Sequence, residues 1–173
     1  MLQDILRKKL KVVFVGINPG LRSDKVGHYY AHHTNKFWQL LADSNLTPYL
    51  LTSKQDYKLT DFEIGLTDVV RQASRGSKEA EKLLSNENLT QLNEKIRKFS
   101  PKMICFNGKK AFKLFFCKEP EKLGLQSEKM NSADIFVLPS SSGTNTKFTY
   151  LQKLEYYKEL KKLSKEIWKQ KEA

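Results

Sequence analysis

Three short apolar runs set the frame of this chain: Val12 to Val15, Met103 to Phe106 and Ile135 to Leu138. Each is continuous rather than alternating, as a strand covered on both faces requires, and each is closed by glycine or small polar residues. The first ends in Gly16-Ile17-Asn18-Pro19-Gly20, the second in Asn107-Gly108, the third in Pro139-Ser140-Ser141-Ser142-Gly143. Gly65 to Val70 predicts a further short strand, with a polar residue at mid-length. Between these runs apolar residues recur at helical spacing. Phe37, Trp38, Leu40 and Leu41 predict a helix capped by Thr34. Leu89, Leu92, Ile96 and Phe99 predict another, capped by Asn88 with Gln91 three residues on and stopped at Ser100-Pro101. Ala111, Phe112, Leu114 and Phe115 give a third. Phe148 to Lys169 reads as a long amphipathic helix, with Leu151, Leu154, Leu160, Leu163 and Ile167 inward and lysines outward. Leu21 to Thr34 reads as a long loop with rings at its centre, Asp43 to Phe62 as a short helix and irregular chain, and Glu119 to Asp134 as a polar surface loop.

Strands alternating with helices predict a three-layer α/β/α sandwich around a central, mostly parallel sheet. The length fits a single domain over residues 1–173. In open sheets of this kind ligands bind beyond the carboxyl ends of the strands. The Asn18 loop and the Ser140 to Lys147 loop would therefore flank one cleft if their strands are neighbours. At such a strand end Asn18 is either a carboxamide placed for chemistry or an ordinary turn asparagine.

Charge narrows the partner. With 31 Lys+Arg against 19 Asp+Glu the net charge is +12, which favours a polyanion. Nucleic acid is expected before a membrane surface, because no apolar stretch approaches ~18 residues and no secretory leader precedes the first strand. That reading makes the protein intracellular: cytoplasmic in a bacterium, nuclear in a eukaryote. A codon bias toward lysine would give the same excess, and a clustered basic face separates the two. Cys105 and Cys117 lack the spacing of a metal site or disulfide framework and read as buried thiols. The adjacent His32 and His33 point apart and have no third ligand close in sequence, so neither a metal nor another cofactor is expected.

The stretch VVFVGINPGLRSDKVGHYYAHHTNKFW, the later GLTDVV and the late VLPSSSGTNTK together resemble the mismatch-specific uracil and thymine DNA glycosylases, one family of the uracil-DNA glycosylase superfamily. The likeness runs from about Lys11 to Leu160, and the motifs occur in the family's order. It implies a uracil-DNA glycosylase-like sandwich that acts as a monomer in base excision repair. The implied activity is extrusion of uracil, thymine or another altered base from duplex DNA with G/U or G/T mismatches, followed by hydrolysis of its N-glycosidic bond.

On this resemblance Asn18 holds the attacking water, orienting it rather than serving as a strong base. Ile17, Gly20 and Ser23 lie where the base is read, and Tyr30 matches the stacking aromatic. Asn35 matches a position that supports the loop, and His28 one beside the pocket. Each has a plainer reading: Tyr30 packed under its loop, Asn35 a first-turn residue facing solvent, His28 a packing residue with no carboxylate partner evident. Pro139 to Lys147 matches the loop that enters the duplex, with Ser140, Ser141 and Ser142 for phosphate contacts, Gly143 for close approach, and Lys147, with Lys25, as phosphate binders. Thr144 departs from the larger wedge of the family. A small wedge unstacks less well, which brings single-stranded DNA and weak pairs into range. Asp68 is a second departure; it could assist the water or serve as a structural hydrogen-bonding residue. Two other classes stay open: a non-catalytic nucleic-acid-binding module on the same fold, and a lyase with a lysine nucleophile, which needs a desolvated lysine in the cleft.

Overall fold

The computed structural model describes residues 1–172. Five strands form one sheet: β1 (Val12–Gly16), β2 (Ile64–Asp68), β3 (Met103–Asn107), β4 (Gly124–Met130) and β5 (Ala133–Leu138). Their order is β2-β1-β3-β5-β4, parallel except for β4, which runs antiparallel to β5. The described residues also form six α-helices: α1 (Leu21–Val26), α2 (Phe37–Asp43), α3 (Ser77–Lys82), α4 (Asn86–Phe99), α5 (Lys109–Phe116) and α6 (Tyr150–Glu172). A 3-10 helix spans Ser53–Phe62.

The sheet has an apolar cluster on each side because successive strand residues point to opposite faces. Phe14, Met103, Cys105 and Phe136 pack with Phe37 and Leu41 of α2 and with Leu154, Tyr157 and Leu160 of α6. Val13, Val15, Ile104, Phe106 and Val137 pack with Leu92 and Ile96 of α4 and with Ala111 and Phe112 of α5. These strand residues are fully or almost fully buried. Both faces being covered explains the unbroken apolar runs, and the three-layer α/β/α sandwich read from the sequence is the observed architecture.

The structure departs from the local sequence pattern in several places. The stretch after β1 is not one loop, because α1 forms within it and ends at Gly27 in the left-handed region, φ 73°. Thr34 does not cap α2; the Phe37 amide donates to Asn35 Oδ1 at 3.0 Å, so the cap chemistry sits one residue later. Helix α4 begins three residues earlier than expected, with Ser85 accepting from the Asn88 amide and Asn88 reaching back to the Ser85 amide. The polar excursion after α5 contains β4, whose alternating burial belongs to an edge strand. On α6 Leu154, Leu160, Leu163 and Ile167 pack inward as expected, but Leu151 is exposed and the stripe is completed by Tyr157 and Lys153, both buried. Cys105 is buried as expected, but Cys117 is exposed at the left-handed C-cap of α5.

Beyond β2 the sheet edge is covered by an antiparallel bridge, in which Ile5 and Leu66 exchange both main-chain hydrogen bonds at 2.9 and 2.8 Å. Asp4 then anchors this segment: Arg71 Nη1 lies 2.5 Å and Lys95 Nζ 2.7 Å from its carboxylate, and Thr67 Oγ1 donates to it at 2.8 Å.

Candidate functional site

A cleft of about 630 Å³ opens at the carboxyl ends of β1, β2, β3 and β5. The loops after β1 and β5 both line it, but their strands are not neighbours, since β3 lies between them. Asn107 at the end of β3 spans the gap. Its Nδ2 donates to Ser141 Oγ at 2.9 Å, and its Oδ1 accepts from the Ser141 amide at 3.0 Å. The Lys36 amide also donates to Ser141 O at 3.0 Å, fastening the start of α2 to the same loop.

Asn18 lines the mouth of the cleft and is partly exposed. Its Nδ2 donates to Pro19 O and Gln72 O, both at 3.0 Å, and to Ser74 Oγ at 2.8 Å. Two of those acceptors are carbonyl oxygens, which can only accept, so they fix the nitrogen end of the carboxamide toward the protein. The Ser74 hydroxyl hydrogen is spent on Gly76 O at 3.0 Å, and the Ser74 amide donates to Pro19 O at 3.1 Å, stitching the 71–77 segment to the β1 loop.

Of the other residues singled out in the sequence, Ile17, Gly20, Ser23, Tyr30 and Asn35 line the cleft. Ser23 is buried and its Oγ accepts from the Ala31 amide at 3.1 Å, so the hydroxyl holds the loop in shape. Tyr30 sits in the left-handed region at φ 50°, with its ring 4.0 Å from that of Phe37. Backbone strain of this kind persists where the surroundings impose it. His28 does not line the cleft. Its Nδ1 lies 3.2 Å from Asp56 Oδ1, while Asp56 Oδ2 accepts from the Tyr29 amide at 3.0 Å. His28 thus has a carboxylate partner, supplied from 28 residues along the chain.

The loop after β5 also divides. Ser140, Ser142, Gly143, Thr144 and Lys147 line the cleft, with Gly143, Thr144 and Lys147 exposed. Ser141 lines it too but is wholly buried and occupied by Asn107, so its hydroxyl is structural rather than available to a phosphate. The close approach at Gly143 is to protein: a Cβ there would lie 2.5 Å from Thr34 Cβ. Lys153 on α6, buried beneath this loop, donates to Ser142 O at 3.3 Å and Asn145 O at 3.0 Å. Burial, with Lys36 nearby, pushes its ammonium below the ordinary lysine range. Lys25 does not line the cleft.

Sequence reasoning left out Ser74, Arg75, Asn107 and Lys109, which also line the cleft. Asn107 carried a signal, a polar residue closing an apolar strand before glycine, the same pattern that marked Asn18. Asp68, weighed but unassigned, closes β2 inside the cleft and is buried. Burial outweighs the pull of Arg71 and carries its carboxyl from 3.8 up to about 7; Asp4 adds to the rise and Lys95 opposes it. Among the described residues no cluster of ligand-type side chains could hold a metal, and no helix is long and apolar enough to cross a membrane.

Residues 3–161 match the family described as the uracil DNA glycosylase superfamily. The fold is similar to a solution NMR structure described as "a putative Uracil DNA glycosylase" from Methanosarcina acetivorans. That likeness covers 92% of this chain and 96% of the other, with 23% identity and a TM-score of 0.65.

Proposed function

The chain belongs to the uracil DNA glycosylase superfamily, and we propose that it is a monofunctional glycosylase releasing uracil from mismatched duplex DNA by hydrolysis. The observation that carries the proposal is the fixed carboxamide of Asn18. With its nitrogen end held by Pro19, Gln72 and Ser74, the Oδ1 end is left to accept a hydrogen from water at the cleft mouth.

The water oxygen forms a bond to the anomeric carbon while the bond from that carbon to the base nitrogen breaks. The electron pair leaves with the base, which later takes a proton from solvent, and the water loses its proton as the sugar hydroxyl forms. Asn18 cannot remove that proton as a strong base would, so the barrier falls through placement and through charge stabilisation of the departing base. Main-chain amides of Ile17 and Asn18 are the candidate donors.

The extruded nucleotide leaves a gap in the duplex, and the exposed tip carrying Gly143 and Thr144 would occupy it. Arg75, Lys109 and Lys147 around the cleft suit the flanking phosphates. Thr144 is a small wedge, so the proposal extends to uracil in single strands and weak pairs, where extrusion costs less.

The test is release of uracil from a G·U duplex under single turnover. Asn18→Ala should lose nearly all of it while still binding the duplex. Equal rates in the two proteins would refute the role of Asn18. Tight binding by the unaltered protein with no release from any altered base would refute the enzymatic reading in favour of a binding module.

A further inference from the structure

Two buried polar groups at the cleft floor have hydrogen-bonding capacity to spare. Among the described residues Asp68 Oδ2 is buried and makes no hydrogen bond, and the buried Tyr30 hydroxyl has only the Asn107 side chain beside it. They converge over β1: a Cβ on Gly16 would fall 2.3 Å from Asp68 Oδ1 and 3.4 Å from the Tyr30 hydroxyl. A side chain at position 16 would displace the Asp68 carboxyl that lies across it. Buried polar groups are almost always satisfied in native folds, so an unpaired carboxyl oxygen lining a cleft beside a tyrosine hydroxyl is placed to take a partner from the cleft, water or ligand.

Depth identifies that partner. Asn18 is partly exposed at the mouth, whereas Asp68 is buried. An extruded nucleotide stays tethered through its sugar, so the glycosidic bond remains near the mouth and the opposite edge of the base reaches the floor. In uracil and thymine, and likewise in hypoxanthine, that edge presents a carbonyl oxygen beside a ring N–H. We infer that Asp68 and the Tyr30 hydroxyl form the polar floor that reads this carbonyl and N–H edge, making Asp68 a specificity-determining residue. This rests on the glycosylase reading above and names its substrate class, bases bearing an oxo group next to a ring N–H.

Protonation completes the match. A neutral carboxyl donates to the base carbonyl and accepts from the ring N–H, whereas a carboxylate sets negative charge against the carbonyl oxygen. Burial, with Asp4 beside it, favours the neutral form of Asp68 over the opposing pull of Arg71 and Lys95. Arg71, just past β2, and Lys95, on α4, are both paired with Asp4 of the amino-terminal segment. Tyr29 and Tyr30 complete the titratable surroundings. Asp68 is left without a counterion of its own, in keeping with its raised affinity for a proton.

The experiment is the pH dependence of kcat/KM for uracil release, which reports the free enzyme, from roughly pH 5.5 to 9. Uracil release by the unaltered protein should fall about tenfold per pH unit above a break near 7. Asp68→Asn, an amide that donates and accepts at every pH, should stay within a few-fold at pH 6 and lose the alkaline fall. Asp68→Ala should lose about tenfold to a hundredfold at pH 6. A flat profile in the unaltered protein, or one rising through pH 7, would overturn the assignment whether or not either variant folds. A rise together with equal loss in both variants would make Asp68 the base that activates water. No release by the unaltered protein at any pH would instead refute the glycosylase reading and remove this inference with it.

Discussion

Replacing Asp68 with asparagine should stabilise the fold, by an amount that grows with pH. The carboxyl holds its proton up to about 7 in the folded protein against an ordinary 3.8, chiefly because it is buried. Below about pH 4 both folded and unfolded chains carry the proton, and the site costs nothing. As pH rises the unfolded chain releases its proton first, so it binds fewer protons than the folded one and stability falls. The fall is complete above pH 7. With each pKa unit worth ~1.36 kcal/mol, the full cost is about 4 kcal/mol at pH 8 and about 1 to 2 kcal/mol at pH 5. Asparagine has nearly the same shape and no ionisation to suppress. The difference in unfolding free energy between Asp68→Asn and the unaltered protein should therefore widen by about 2 to 3 kcal/mol from pH 5 to pH 8. Urea unfolding followed by circular dichroism at the two pH values measures it. A gap that is the same at both would mean that Asp68 does not retain its proton on folding, and the reasoning about its surroundings would fail.

Two further outcomes test the bracing of the site. Ser74→Ala removes one of three acceptors on Asn18 Nδ2 and should lower the single-turnover rate about fivefold, an effect of about 1 kcal/mol, while leaving duplex binding unchanged. Lys153→Met frees the carbonyls of Ser142 and Asn145 and should weaken duplex binding by about 1 to 2 kcal/mol. Because Lys153 braces the loop from beneath, the slope of log affinity against log salt should not change; a slope reduced by about one would make it a phosphate contact instead.

The parts legible in the sequence are those fixed by local pattern. Val12 to Val15, Met103 to Phe106 and Ile135 to Leu138 announced buried parallel strands because both faces need apolar cover. Asn18 and the serine loop stood out because turn residues end those runs. Strand β4 was not legible: an edge strand needs apolar residues on one face only, and a register irregularity between Leu125 and Lys129 blurs its alternation. Residue type points Leu151 and Cys117 inward, but helix phase and a left-handed cap turn them to solvent. The rest of the site depends on pairings across long stretches of chain. Ser74 meets Asn18 from 56 residues away, Asn107 meets Ser141 from 34, and Asp56 meets His28 from 28. No periodicity encodes such meetings; the β2-β1-β3-β5 order creates them.

The acceptors gathered around Asn18 also restrict its replacement in evolution. An aspartate there would turn negative oxygen toward two carbonyls that have no proton to share, and the Ser74 hydrogen is already committed to Gly76. Exchanging amide for acid, a one-step route to a stronger general base, is thus barred unless the segment around Gln72 and Ser74 is rebuilt at the same time. Under the proposed function, a lineage starting from this scaffold would gain speed more readily by improving how the leaving base is held than by changing Asn18.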